Sequence, residues 1–253
     1  MKALTGFAIL VIAFLWSPLM WVAYRGASVE AFARLMTRED ILSAATQSFG
    51  LAFVAATLAT FFGMITAFAL PGMPRFKGWL IETGLIFPMV LPEIAMGLSF
   101  LVWYIFLGTP FGWGTLVASH VAFCFSFATL AMKARVETLD RGLIDAAHDL
   151  GASPAQVFRH AIFPQIAPGL LASWVTCFSL SLDDFFISFF VKGLSQMTLP
   201  IQLYSMMKVR IGPEIYALSL ILFCFSLLAV LVTQLWLKSK LKSANALPSL
   251  TQA

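Results

Sequence analysis

Six stretches of this chain stay apolar for about 20 residues at a time, and that property restricts the available folds more than any motif does. They lie near 4–24, 47–70, 83–107, 114–132, 168–191 and 215–237. A helix of about 20 apolar residues crosses roughly 30 Å of hydrocarbon. Helices and closed barrels are the only backbone forms that satisfy their own N–H and C=O groups there. Four of the six runs carry no charged residue. The expected fold class is all-α, a polytopic membrane protein with six transmembrane helices. Charged residues make up 11% of the 253, against roughly 25% in a soluble domain.

The first run follows Lys2, as a secretory signal would, but it is longer than the 7 to 15 apolar residues of a signal core and reads as a retained helix. Orientation follows from Lys and Arg, which accumulate in short cytoplasmic loops. With the N-terminus inside, ten fall on the cytoplasmic side: Lys2, Arg75, Lys77, Lys133, Arg135, Arg141, Arg159, Lys238, Lys240 and Lys242. Six fall outside: Arg25, Arg34, Arg38, Lys192, Lys208 and Arg210. This bias and the basic tail account for the net charge of +4, so no nucleic-acid partner is invoked. Cys124, Cys177 and Cys224 sit singly in apolar runs, without the paired spacing of a metal site or disulfide framework, and read as packing residues. The same reading holds for the Met and Phe residues.

Between the first two runs, "TREDIL" suggests a helix start with Thr37 as cap and Asp40 returning the bond, continuing into the second span. "PGMPRFKG" at 71–78 is a cytoplasmic turn. A helix over about 134–150 would align Leu139, Leu143, Ala146, Ala147 and Leu150 on one face. Gly151 would stop it in the left-handed conformation. Ser153, Pro154 and Gln156 then fit the cap, first position and capping-box return of a second helix. Its apolar residues Val157, Phe158, Ala161 and Ile162 share a side, and Pro164 and Pro168 mark its end before the fifth span. Such a projection packs against its own bundle and the lipid headgroups, or docks into a partner.

"DAAHDLGASPAQVFRHAIFP" resembles the EAA loop of ABC importer permeases, with Asp145, Ala146, Ala147, Gly151 and Pro164 at matching spacing. Asp145 stands where Glu is common, Ala161 where Ile is usual and Phe163 where Leu is usual. "LPEIAMGLSF", "SLSLDDFFISFFVKG" and "TLPIQLYSMMKVRIGPEIYAL" are similar to the second permease subunit of spermidine/putrescine transporters. The resemblance implies a type I ABC importer permease: a first helix and external segment over 1–41, a permease domain over 42–237 and a cytoplasmic tail over 238–253. It also implies a bacterial inner-membrane location, a cytoplasmic ATPase dimer docked on the loop 134–164, a second homologous permease and an extracytoplasmic substrate-binding protein. The sequence has no G-x-x-x-x-G-K-[ST] phosphate loop, so ATP is expected on the partner subunit, with no catalytic residue, metal or cofactor in this chain.

Glu93 falls near the middle of the third run, and Asp183 and Asp184 past the middle of the fifth. A carboxylate at that depth is costly and faces a bundle interior or wet cavity. Pro88 and Pro92 should loosen the helix before Glu93. The three acids would stabilise a multiply charged linear cation, with Trp103, Tyr104 and Trp174 as aromatic partners, or the Asp pair would fix an interface with a neighbouring subunit. His120 reads as an interhelical hydrogen-bonding residue, and His148 and His160 as solvated. Two other readings stay open: the same architecture with ferric ion, thiosulfate or a phosphonate, and an ion-coupled secondary transporter. Adjacent aspartates on one segment diverge by about 100°, which disfavours a protease dyad.

Overall fold

The computed structural model describes residues 2–225, 227, 228 and 231. In chain order the helices are α1 (Lys2–Gly26), α2 (Val29–Met36), α3 (Glu39–Ala69), α4 (Arg75–Val90), α5 (Glu93–Phe106), α6 (Trp113–Val136), α7 (Arg141–Asp149), α8 (Pro154–Val157), α9 (Phe163–Asp183), α10 (Phe186–Val191) and α11 (Leu199–Val209). The last among the described residues is α12 (Pro213–Phe225). There is no strand among the described residues. Among the described residues four helices are long and apolar enough to cross a membrane, or five if α4 and α5 count as one broken span. The sixth expected run is represented by α12; the rest of it, and the tail 238–253, fall mainly or wholly outside the described residues.

The packed centre is α3, α6 and α9. Ala52, Ala55, Ala56 and Ala59 of α3 are fully buried, and a Cβ on Gly63 would sit 2.8 Å from the Ala128 Cβ of α6. Small residues let backbones approach closely, which matters where lipid removes the hydrophobic drive between helices and leaves dispersion and hydrogen bonds to hold them. Cys124 and Cys177 fill the α6–α9 contact as buried free thiols, each donating to the other's carbonyl at 3.5 Å.

Two local expectations are corrected, and the loosening expected before Glu93 is a full break. The third run is not one straight span: α4 and α5 meet at 111°. Leu91 before Pro92 is extended (φ −67°, ψ 139°), the conformation that the proline ring imposes on its predecessor. Glu93 is therefore the first residue of α5, at the break. The helix start at Thr37 is displaced as well. Ser28 caps α2 by accepting from Ala31 N at 3.2 Å, and Thr37 closes α2. Asp40 grips the Arg38 guanidinium at 2.8 and 2.7 Å and forms no capping box with Thr37. From Glu39 the helix does run on through the second span. Finally, the fifth run is divided: α9 ends at Asp183 and α10 begins at Phe186.

Candidate functional site

Two polar interruptions of the bundle hold the residues singled out from the sequence, at opposite ends of α9. At the first, the expected 134–150 helix is two pieces. α6 stops at Val136, and α7 starts after Asp140, whose carboxylate accepts from Leu143 N at 3.3 Å. An Asp at this position satisfies a donor that the continuing helix would otherwise leave open. No residue of α7 is buried; Leu143 is 49% exposed and Leu150 88%. Gly151 has φ +78°, and Ala152 N returns to Ala147 O at 3.1 Å, a left-handed helix closure. Gln156 Oε1 then accepts from Ser153 N at 2.8 Å, completing the capping box at α8.

Pro164 and Pro168 do not end the second helix. Residues Pro154–Asp183 form one continuous apolar helical stretch, with a π turn over Phe158–Ile162 in which Phe163 N bonds Phe158 O. The wider turn takes up the register change just before Pro164, whose ring and missing N–H disrupt ordinary i→i−4 bonding. Asp145, Ala146, Gly151 and Pro164 are exposed and Ala147 is half-buried, so the elbow carries all five at its surface.

A glutamine that the sequence reading passed over ties the elbow to the bundle. Gln165 Oε1 accepts from Asp140 N at 3.0 Å, its Nε2 donates to Ala161 O at 2.8 Å, and its backbone carbonyl accepts from Arg135 Nε at 2.7 Å. Gly169 lies under Arg135, where a Cβ would meet Arg135 Cγ at 2.8 Å. The ends of α6, α7 and the π turn are thus joined through a single side chain and its own carbonyl. Lys133 adds a link to α4 through Glu82 at 2.7 Å.

At the other end of α9, Glu93, Asp183 and Asp184 line one cavity of about 530 Å³, with Ser179, Leu203, Ser219 and Phe223 among its walls. The three acids are not equivalent. Asp184 is 4% exposed; its carboxylate accepts from Ile187 N at 3.1 Å and Ser188 N at 2.8 Å, starting α10 as it ends α9. His120, fully buried, reaches Ser181 through Nδ1 at 2.7 Å and Ser188 through Nε2 at 2.9 Å, with Asp184 Oδ2 3.4 Å from Nε2. The interhelical role expected for His120 is what the geometry displays. Glu93 and Asp183 are exposed, and neither has an ion-pair or hydrogen-bond partner among the described residues. Two unpaired carboxylates on one cavity can accept from an ammonium donor, whereas Asp184 already spends both oxygens on backbone donors.

The expected aromatic partners are elsewhere. Tyr104 is buried with its hydroxyl 2.9 Å from Ser119 Oγ, Trp174 donates to Thr57 Oγ1 at 3.0 Å in an apolar groove between α3 and α9, and Trp103 faces outward on α5. Phe223 is the aromatic residue on the acidic cavity. Among the described residues no group of three or more His, Cys, Asp or Glu is placed to hold a metal ion.

This architecture, two broken helices around a three-helix centre with an exposed elbow, is found in a known class. Residues 59–239 match the binding-protein-dependent transport system inner membrane component family, and the chain belongs to that family of multi-pass ABC transporter permeases. It is 37% identical over 222 residues to the spermidine/putrescine transport system permease protein PotC of Escherichia coli (strain K12), covering 87% of this chain and 84% of that protein. To the putrescine transport system permease protein PotI of the same strain it is 34% identical over 206 residues, covering 78% and 72%. Its fold is similar to a chain of a bacterial alginate ABC transporter in complex with its periplasmic protein, with TM-score 0.68, 14% identity and coverage of 92% and 91%. A chain of an amino acid ABC transporter superposes with TM-score 0.60 at 18% identity, covering 83% and 98%.

Proposed function

We propose that this chain is one permease half of an ATP-driven importer that moves polyamines, spermidine or putrescine, into the cytoplasm. The observation that carries the substrate class is the pair of unpartnered carboxylates, Glu93 and Asp183, on one cavity. Intramembrane acids left unpaired are unfavourable unless a cavity or ligand compensates them, and a linear cation with separated ammonium groups suits two such acids. The relatives named for spermidine and putrescine support the same reading. Asp184 contributes by holding the α9–α10 break, and so the position of Asp183 beside it.

The elbow with Asp145, Ala146, Ala147, Gly151 and Pro164 docks on a cytoplasmic ATPase dimer, which binds the ATP. A second homologous permease and an extracytoplasmic binding protein complete the complex, with both termini of this chain in the cytoplasm. Closure of the ATPase pair moves α7, and the Gln165 link carries that movement to α6 and α9. The test is uptake of labelled putrescine and spermidine by the whole complex in proteoliposomes given ATP and no ion gradient. Uptake that falls in Glu93→Gln and Asp183→Asn at equal incorporation supports the proposal. Unchanged uptake in both removes the substrate role, and uptake that needs a proton or sodium gradient makes the protein a secondary transporter.

A further inference from the structure

The far end of α1 carries a guanidinium that transport of a cation does not use. Arg25 lies one residue before the end of α1, its Cζ 5.6 Å from the Trp21 ring centroid and 5.7 Å from that of Tyr216 near the start of α12. Aromatic faces attract a cation electrostatically, and here rings from two helices hold it. The junction itself is tight: a Cβ on Gly26 would fall 2.5 Å from the Tyr216 carbonyl oxygen, so α1 meets α12 backbone to backbone beside the guanidinium.

These ring contacts take none of the guanidinium's N–H donors. Among the described residues Arg25 has no carboxylate partner and makes no hydrogen bond. It lines a cavity of about 580 Å³ together with Tyr24, Ser28, Ile211, Pro213 and Tyr216. The acid on the same cavity, Glu30, is taken by Arg34 at 2.6 Å. Ser28 Oγ accepts from Ala31 N, which leaves its O–H free to donate. The cavity therefore offers donors and one uncompensated positive charge beside two apolar residues.

Depth decides which anion reaches it. α1 has 25 residues, about 37 Å at 1.5 Å each, slightly more than the hydrocarbon thickness. Its end then stands in the headgroup layer, where Trp and Tyr collect. No residue in the apolar window of α1 is buried by the rest of the chain, so lipid reaches this cavity laterally. We propose that the cavity holds the phosphodiester of a phospholipid headgroup, gripped by the Arg25 fork with Ser28 assisting, while Ile211 and Pro213 meet the start of the acyl region. Guanidinium matches phosphate oxygens two at a time, which an ammonium cannot do.

The test is native mass spectrometry of the full-length chain in its purified complex, with added phosphatidylglycerol as probe. Arg25→Gln should lower retention of the most tightly held phosphatidylglycerol about tenfold, the loss of one charge-assisted contact, and Arg25→Lys should fall between. Lys208→Gln, an exposed cation held over the Tyr204 ring and outside this cavity, should retain lipid as the parent does. Diacylglycerol of the same chains should be held much more weakly. Equal retention in Arg25→Gln overturns the proposal, as does equal retention of diacylglycerol or displacement of the lipid by millimolar inorganic phosphate. Loss of lipid in Lys208→Gln to the same extent shows a diffuse charge effect and overturns it too. The polyamine uptake of Arg25→Gln is measured alongside, so a wrong substrate assignment leaves the lipid result standing.

Discussion

The two ends of α9 are both polar interruptions of an oily helix, yet they treat their polar groups in opposite ways. At the 183–191 end the chain satisfies itself: Asp184 caps α10, His120 bridges Ser181 and Ser188, and both are buried. At the 137–164 end nothing in α7 is buried, and Leu150 is almost fully exposed. A polar insertion closed within one chain is scaffolding, because removing any member leaves a buried group unpaired. One that stays uncovered is shaped for something outside the chain. Asp183 and Asp184, adjacent in sequence, fall on opposite sides of that division.

The largest effect should come from breaking the closed network. His120→Leu leaves Ser181 and Ser188 without their imidazole partner and should destabilise the protein by about 3 kcal/mol, since each buried polar group left unsatisfied costs about 1–3 kcal/mol. Thermal unfolding of the purified protein in detergent measures it, and an unchanged Tm breaks the contrast. Asp184→Ala, which removes the bonds to Ile187 N and Ser188 N, should cost about 2 kcal/mol by cap loss alone. Asp184→Asn should be milder, because the amide oxygen still accepts one bond. The neighbour Asp183→Asn should leave stability within about 0.5 kcal/mol of the parent, as an exposed change does, while lowering polyamine uptake.

At the open end the balance reverses. Leu150→Asp should shift stability by less than about 0.5 kcal/mol, but it should weaken assembly with the ATPase at least tenfold, as a charge placed in an apolar contact would. Co-purification reads that ratio, and intact assembly would place the elbow against lipid instead. Gln165→Ala gives the smallest expected effect. Loss of two partly exposed hydrogen bonds should cost about 1 kcal/mol. It should show as a lower ratio of substrate moved to ATP hydrolysed, with docking retained.

Much of this was readable in the sequence because the strongest signals are local. Gly151, Ser153, Pro154 and Gln156 encode their turn and cap through backbone preferences that need no neighbour, and they adopt the expected conformations. Pro92 announces the break before Glu93 for the same reason, though its angle depends on what α5 and α10 do together: a Cβ on Gly97 would lie 2.8 Å from Phe186 O. The readings that failed were those in which a local signal was overruled by packing. Pro164 looks like a helix end and is absorbed by a π turn. Thr37 looks like a cap and closes the preceding helix instead. Trp103, Tyr104 and Trp174 look like cation partners by residue type, but type carries no information about the face on which a ring lies.

Hydrophobic run length determined the class of the molecule without help, since a bilayer admits few backbone forms and sets their length. The elbow's turn chemistry followed from single-residue preferences in the same way. Tertiary structure alone decided that Glu93, from the second half of a broken helix, shares a cavity with Asp183, that Asp184 is turned inward to start another helix, and that Gln165 joins three segments. Those outcomes depend on helices far apart in the chain meeting at particular rotations, and apolar residues that are uniform around a membrane helix leave that rotation unspecified until small residues such as Gly63 and Gly97 let one surface approach another.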